Sequence, residues 1–185
     1  DTLTYMDQLK FLNNGGTATF YQLGRQEILH GSGSTADGGA GNDNITGTTG
    51  ADTISTGDGD DTVVGNDGYD IIDGGAGNDT LSSNQYGSEM TGGLGTNSLT
   101  GSVYLTLNDV VQIDTAVYAG AQADYTITQN ADYTYTITGT GINDTLTYMD
   151  QLKFLNNGGT ATFYQLGRQE ILHGSGSTAD GGAGN

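Results

Sequence analysis

Between residues 38 and 82 an aspartate returns at every ninth position, as Asp43, Asp52, Asp61, Asp70 and Asp79. Two residues before each stands a glycine (Gly41, Gly50, Gly59, Gly68, Gly77), and two after each an apolar side chain (Ile45, Ile54, Val63, Ile72, Leu81). The pattern G-G-x-G-x-D-x-U-x, with U apolar, is met without a mismatch from Gly38 to Thr46 and from Gly74 to Ser82. A short fixed period restricts a chain to a stacked coil, because each repeat finds its burial only against its neighbours. The glycine half has to reverse direction within a few residues, at backbone angles that side chains disfavour. The other half is a very short strand with one inward apolar residue. With two nonapeptides per circuit, vertical neighbours stand 18 residues apart. One edge then carries Asp43, Asp61, Asp79 and Asn97, and the other Asp52, Asp70 and Ser88.

Stacked acids need a cation. The chain has 22 acidic and four basic residues, a formal charge of −18, which repels nucleic acid and anionic lipid and draws cations. Calcium takes about six to eight oxygens from carboxylates and backbone carbonyls. Stacked turns offer both: carboxylates from the aspartates, and carbonyls expected to be free because no ladder is expected in the turn. The gaps 43/61, 52/70 and 61/79 are best supplied, whereas 70/88 and 79/97 lack a charge and are expected to bind weakly or stay empty. One inward side chain per nine residues is too thin a core to offset the ordering of the backbone, so the metal is expected to drive folding.

Seven nonapeptides run from 38 to 100; the last two keep Met90 and Leu99 but have Ser88 and Asn97 at the acid position. Above this period lies a longer one: residues 1–42 recur unchanged as 144–185, an offset of 143. Both ends are therefore expected to be cuts through a tandem array. Residues 101–180 read as a second, β-rich module, whose end recurs as 1–37, with 181–185 opening the next coil. Tyr125 and Ile127, then Tyr133, Tyr135 and Ile137, alternate with threonines, the pattern of half-buried strands, with a hairpin loop at Gln129–Asp132. A second hairpin is expected from Lys153–Leu155 through Asn156-Asn157-Gly158-Gly159 to Ala161–Tyr164. No amphipathic helix is present; Tyr148 to Leu152 allows one turn at most.

Gly38 to Leu81 resembles the repeats-in-toxin (RTX) family. The stretch from Ala123 to Phe154 is similar to a β-rich segment common beside such repeats. The resemblance implies an all-β fold: a right-handed parallel β-roll over 38–100, followed by the β-rich module. It implies calcium as cofactor, held by Asp43, Asp52, Asp61, Asp70 and Asp79 and by carbonyls of the glycine turns, here Gly39, Gly41, Gly57, Gly59, Gly75 and Gly77. Asn97 is a further candidate at the end of that edge. It also implies a bacterial, extracellular or cell-surface protein that leaves by type I secretion, unfolded.

Catalytic patterns are missing. There is no H-E-x-x-H, G-x-S-x-G or phosphate-binding loop, and His30 (copied as His173) beside Gly31-Ser32-Gly33-Ser34 reads as a turn residue. Cysteine is absent, which excludes disulfides and thiolate metal sites, and no apolar run is long enough to span a membrane. Asp58, Asp60 and Asp67 read as solvated turn acids, and no window has the glycine and glutamate of an EF-hand. Tyrosines 104, 118, 125, 133 and 135 would suit a sugar-binding face, although sheet packing explains them better. The expectation is no enzyme but a structural repeat protein: a filament, matrix fibre, surface layer or adhesin stalk that contacts neighbouring copies of its own unit. The alternatives are a glycan- or surface-binding adhesin module and the accessory repeats of a secreted enzyme.

Overall fold

The computed structural model describes residues 33–103 and 112–167 with side chains, and five further strands as backbone. In the N-terminal part these are β1 (Gln8–Phe11), β2 (Thr19–Gln22) and β3 (Gln26–Ile28). The nonapeptides contribute β4 (Thr35–Asp37), β5 (Asn44–Thr46), β6 (Thr53–Ser55), β7 (Thr62–Val64), β8 (Asp70–Asp73), β9 (Thr80–Ser82), β10 (Ser88–Thr91) and β11 (Ser98–Thr100). Beyond them lie β12 (Thr106–Leu107), β13 (Val110–Val111), β14 (Asp114–Tyr118), β15 (Thr126–Gln129), β16 (Tyr135–Gly139), β17 (Ile142–Thr147), β18 (Gln151–Phe154) and β19 (Thr162–Gln165).

Successive nonapeptide strands alternate between two parallel sheets, the arrangement of a β-roll. One sheet pairs Gln26 with Asn44, Asn44 with Thr62, Thr62 with Thr80 and Thr80 with Ser98. The other pairs Thr35 with Thr53, Thr53 with Ile71 and Ile71 with Glu89. Both registers follow the period read from the sequence, and both begin before residue 38: β3 and β4 already obey it. Each strand from β4 to β11 turns one apolar residue inward. Ala36, Ile54, Ile72 and Met90 form one buried column, and Ile45, Val63, Leu81 and Leu99 the facing one.

The change at residue 100 is one of period rather than of sheet. The parallel ladders run on through Met90–Ala116–Leu152 in β10, β14 and β18, and through Leu99–Leu146 in β11 and β17. Insertions between these strands abolish the nine-residue spacing but leave hydrogen bonding and inward alternation intact. The coil then widens. Tyr118, Tyr135, Ile137, Met149, Phe154 and Leu166 are buried here, and the Tyr118, Tyr125 and Phe154 rings lie 5.1–5.9 Å apart between centroids. Lys153 Nζ bonds both Glu89 oxygens at 2.9 and 3.0 Å, joining β18 to β10.

Both expected hairpins close the ends of the sheets. β15 and β16 pair antiparallel, β16 adds antiparallel to β17, and β19 adds antiparallel to β18. Tyr148 lies in no helix; β18 begins at Gln151, and the only helical turns among the described residues are the 3-10 turns Gln122–Asp124 and Asn156–Gly158. Among the described residues these tyrosines do not share one open face. Tyr118 and Tyr135 are buried, Tyr125 is half-buried against Phe154, only Tyr133 is exposed, and Tyr104 lies outside the described residues. Inward alternation had to place Tyr135 and Ile137 on the same, core side.

Candidate metal centre

The aspartates of the turns are almost wholly buried, at 0–2% exposure, and their two carboxylate oxygens do different work. Oδ1 accepts the N–H of the corresponding residue one circuit earlier. Asp43 N–H donates to Asp61 Oδ1 at 2.7 Å, Asp52 N–H to Asp70 Oδ1 at 3.0 Å, and Asp61 N–H to Asp79 Oδ1 at 2.9 Å. These bonds staple one circuit to the next. Oδ2 of Asp61, Asp70 and Asp79 is buried with no hydrogen-bond partner. A buried carboxylate oxygen without a donor is costly unless a cation meets it.

Oδ2 of Asp70 and Asp79, and of Asp43, looks into space that only glycine leaves open, at Gly65, Gly74 and Gly38. In the Asp61 turn the first residue is Thr56, whose hydroxyl donates to the Gly74 carbonyl at 2.7 Å. A Cβ on Gly74 would lie 2.6 Å from Asp79 Oδ2 and 2.9 Å from the Gly92 carbonyl oxygen. On Gly38 it would lie 2.5 Å from Asp43 Oδ2 and 2.6 Å from the Thr56 carbonyl. In these two turns carboxylate and carbonyl oxygens thus converge beside the first residue. No group of three or more acidic or histidine side chains occurs among the described residues. A cation would therefore be held by one carboxylate per turn with backbone carbonyls, an oxygen-only donor set that suits calcium and not a softer metal.

Burial pushes the Asp70 carboxyl up to about 7, with the charges of Asp52 and Asp67 adding to the rise and a backbone hydrogen bond opposing it. Burial likewise raises Asp79 to about 6, with Asp61, Asp60 and Asp144 adding to it. Both groups resist ionising where no cation balances them, and a bound cation reverses that preference.

The structure brings Asp43, Asp61 and Asp79 onto one edge and Asp52 and Asp70 onto the other, as the period required. Three details differ. First, the turns do form a ladder. Gly39, Gly57 and Gly75 carbonyls accept from the N–H groups of Asp58, Ala76 and Leu94 at 2.8–3.0 Å, through parallel bridges at 40–58, 58–76 and 76–94. The carbonyls converging on the carboxylates belong instead to Thr56 and Gly92, the first residues of the overlying turns. Gly41 and Gly59 carbonyls pack against Gly59 and Gly77, where no side chain would fit.

Second, Asn97 is not a ligand of the same kind. Its Oδ1 accepts from Asp79 N–H at 2.9 Å, and its Nδ2 donates to Asp144 Oδ1 at 2.9 Å. An N–H donor therefore occupies the place of the Oδ2 oxygen. Third, both Asp52 oxygens are taken: Oδ1 by Ser34 N–H at 2.6 Å and Thr48 Oγ1 at 3.0 Å, and Oδ2 by Thr48 N–H at 2.6 Å.

Three acids outside the period extend the two edges. Asp114 Oδ1 accepts from the hydroxyls of Ser83 and Ser88, both at 2.9 Å, and its Oδ2 from Ser102 N–H at 2.6 Å. Asp114 N–H in turn donates to Asp150 Oδ2 at 2.8 Å. Asp144 accepts from Asn97 and from the Tyr118 hydroxyl at 3.0 Å; burial raises its carboxyl to about 6, and these hydrogen bonds hold it down. The signal for them was present as D-x-U, in Asp114-Thr115-Ala116, Asp144-Thr145-Leu146 and Asp150-Gln151-Leu152, but outside the nine-residue register.

Residues 37–72 and 55–85 match the family model of the RTX calcium-binding nonapeptide repeat, in four copies. No curated protein matches the chain.

Proposed function

Residues 37–85 of this chain belong to the RTX calcium-binding nonapeptide-repeat family, and on that footing we propose that it is part of an extracellular structural array hardened by calcium. The observation that carries this reading is the recurrence of residues 1–42 as 144–185. In its second occurrence the segment supplies β18 and β19, which close one roll. In its first it supplies β3 and β4, which open that roll at its other end, so a repeated segment would both close one roll and open the next. Three residues separate β2 from β3. Four peptide links reach about 13–14 Å at most, so consecutive rolls have no room for a flexible linker. On this reading the unit carries no catalysis. The chain leaves a bacterial cell unfolded by type I secretion, where calcium is scarce, and folds outside.

Small-angle scattering in calcium on one, two and four tandem units tests the array. A maximum dimension that grows in equal steps supports a rod. Growth near the square root of the unit number shows beads on a string and ends the filament reading.

One observation favours a second reading, a glycan-binding adhesin module. Across one sheet the outward residues Asn44, Thr62, Thr80, Ser98, Thr145, Thr136 and Thr128 stand in one row without a charge. A neutral hydroxyl row on so acidic a chain suits a neutral polysaccharide. Retention on neutral polysaccharide beads in calcium supports this reading, and passage through them dismisses it.

A further inference from the structure

The turns fall into two conformations, and one residue separates them. In the turns of Asp61, Asp70 and Asp79, whose Oδ2 has no hydrogen-bond partner, the second residue is Gly57, Asn66 or Gly75, at φ of 97°, 66° and 83°. In the turns of Asp52 and Asp114 the second residue is Thr48 or Ser102, neither of them at positive φ. There its N–H donates to Oδ2 at 2.6 Å in both cases. We propose that the second residue of each turn decides whether its aspartate binds a divalent cation or is closed by the chain's own N–H. This inference rests on the calcium reading and assigns the sites within it.

The physical basis is the left-handed region of the backbone map. Glycine enters it freely and asparagine tolerates it, while a β-branched threonine is disfavoured there. A left-handed second residue turns its N–H away from the carboxylate and leaves Oδ2 without a hydrogen-bond donor, beside the Gly92 carbonyl oxygen of the turn above in the case of Asp79. A threonine or serine in the ordinary region aims its N–H at Oδ2. The charge-assisted hydrogen bond that results takes the place of the cation. Thr48 adds its hydroxyl to Oδ1, which closes the turn further.

The two edges are therefore unequal. The edge of Asp61 and Asp79 has glycine at the second position in successive turns and stacks cation sites. The other edge alternates: Asp52 is closed, Asp70 open, and Ser88 has no carboxylate. Thr48 and Asn66 lie one circuit apart on that edge, so each is a template for the other.

The test exchanges them in the 185-residue chain. Bound calcium per chain is counted by equilibrium dialysis, and far-UV circular dichroism in saturating calcium confirms that each variant is folded. Thr48→Asn is expected to bind one more ion than the parent chain, and Asn66→Thr one fewer. The double exchange returns to the parent count. Thr49→Gly, at the third position, changes nothing. Thr48→Gly gives a second route to the gain. A parent chain that binds calcium while both Thr48 variants and Asn66→Thr keep its count overturns the proposal and leaves the calcium reading standing. A parent chain that binds none overturns both.

Discussion

Asp61 allows the two roles of a turn carboxylate to be separated in one protein. Its Oδ1 holds the N–H of Asp43 at 2.7 Å, and its Oδ2 is buried without a hydrogen-bond partner. Asp61→Asn keeps the first role and removes the second, as Asn97 already does above Asp79. Asp61→Ala removes both and leaves a buried N–H orphaned, which costs about 1–3 kcal/mol. Above the dissociation constant, each bound ion makes stability rise by about 1.4 kcal/mol per tenfold increase in calcium. Urea unfolding at a series of saturating calcium concentrations should therefore show the same loss of slope for both variants, about 1.4 kcal/mol per decade for each ion lost. The two lines should be parallel and offset by about 1–3 kcal/mol, with the alanine variant the weaker. Asp58→Ala, at an exposed turn position, should keep the parent slope. If Asp61→Asn keeps it too, Oδ2 is not a calcium ligand and the division of labour is wrong.

Other consequences follow from the same geometry. In chelator, hydrogen exchange should be fast in β7–β9 and slow in β14 and β16–β18, because Asp114 and Asp144 have hydrogen-bond donors where Asp61, Asp70 and Asp79 need a cation; uniform exchange would contradict this. Far-UV circular dichroism in chelator should show more β-structure at pH 5 than at pH 8. Asp70 and Asp79 titrate at about 7 and about 6 in the folded chain, above the ordinary carboxylate value, so the stability they contribute is complete below about 4 and is lost as pH rises through 6 and 7. A metal-free chain that only loses structure on acidification would refute that. Tyr118→Phe strips a buried donor from Asp144 Oδ2 and should lower the stability of the calcium-bound chain by about 1–3 kcal/mol in urea unfolding, whereas an unchanged midpoint would show that the bond is not needed.

The period made the lower roll legible in the sequence. Register, the two edges, the inward column from Ile45 to Leu99 and the identity of the repeated acids all follow from spacing. When side chains alternate by two and turns recur by nine, a residue's position dictates its face. The hairpins at 126–139 and 151–165 were legible for the same local reason. What spacing could not supply was anything set by contacts between distant parts of the chain. Asp114, Asp144 and Asp150 join the edges across insertions, so their vertical neighbours were open until the strands paired. Whether a carboxylate oxygen meets an N–H or is left to a cation turns on one backbone angle, at Thr48 in one turn and Asn66 in the next. The consensus treats both as departures from glycine; only their opposite φ shows that one closes its aspartate and the other leaves it open.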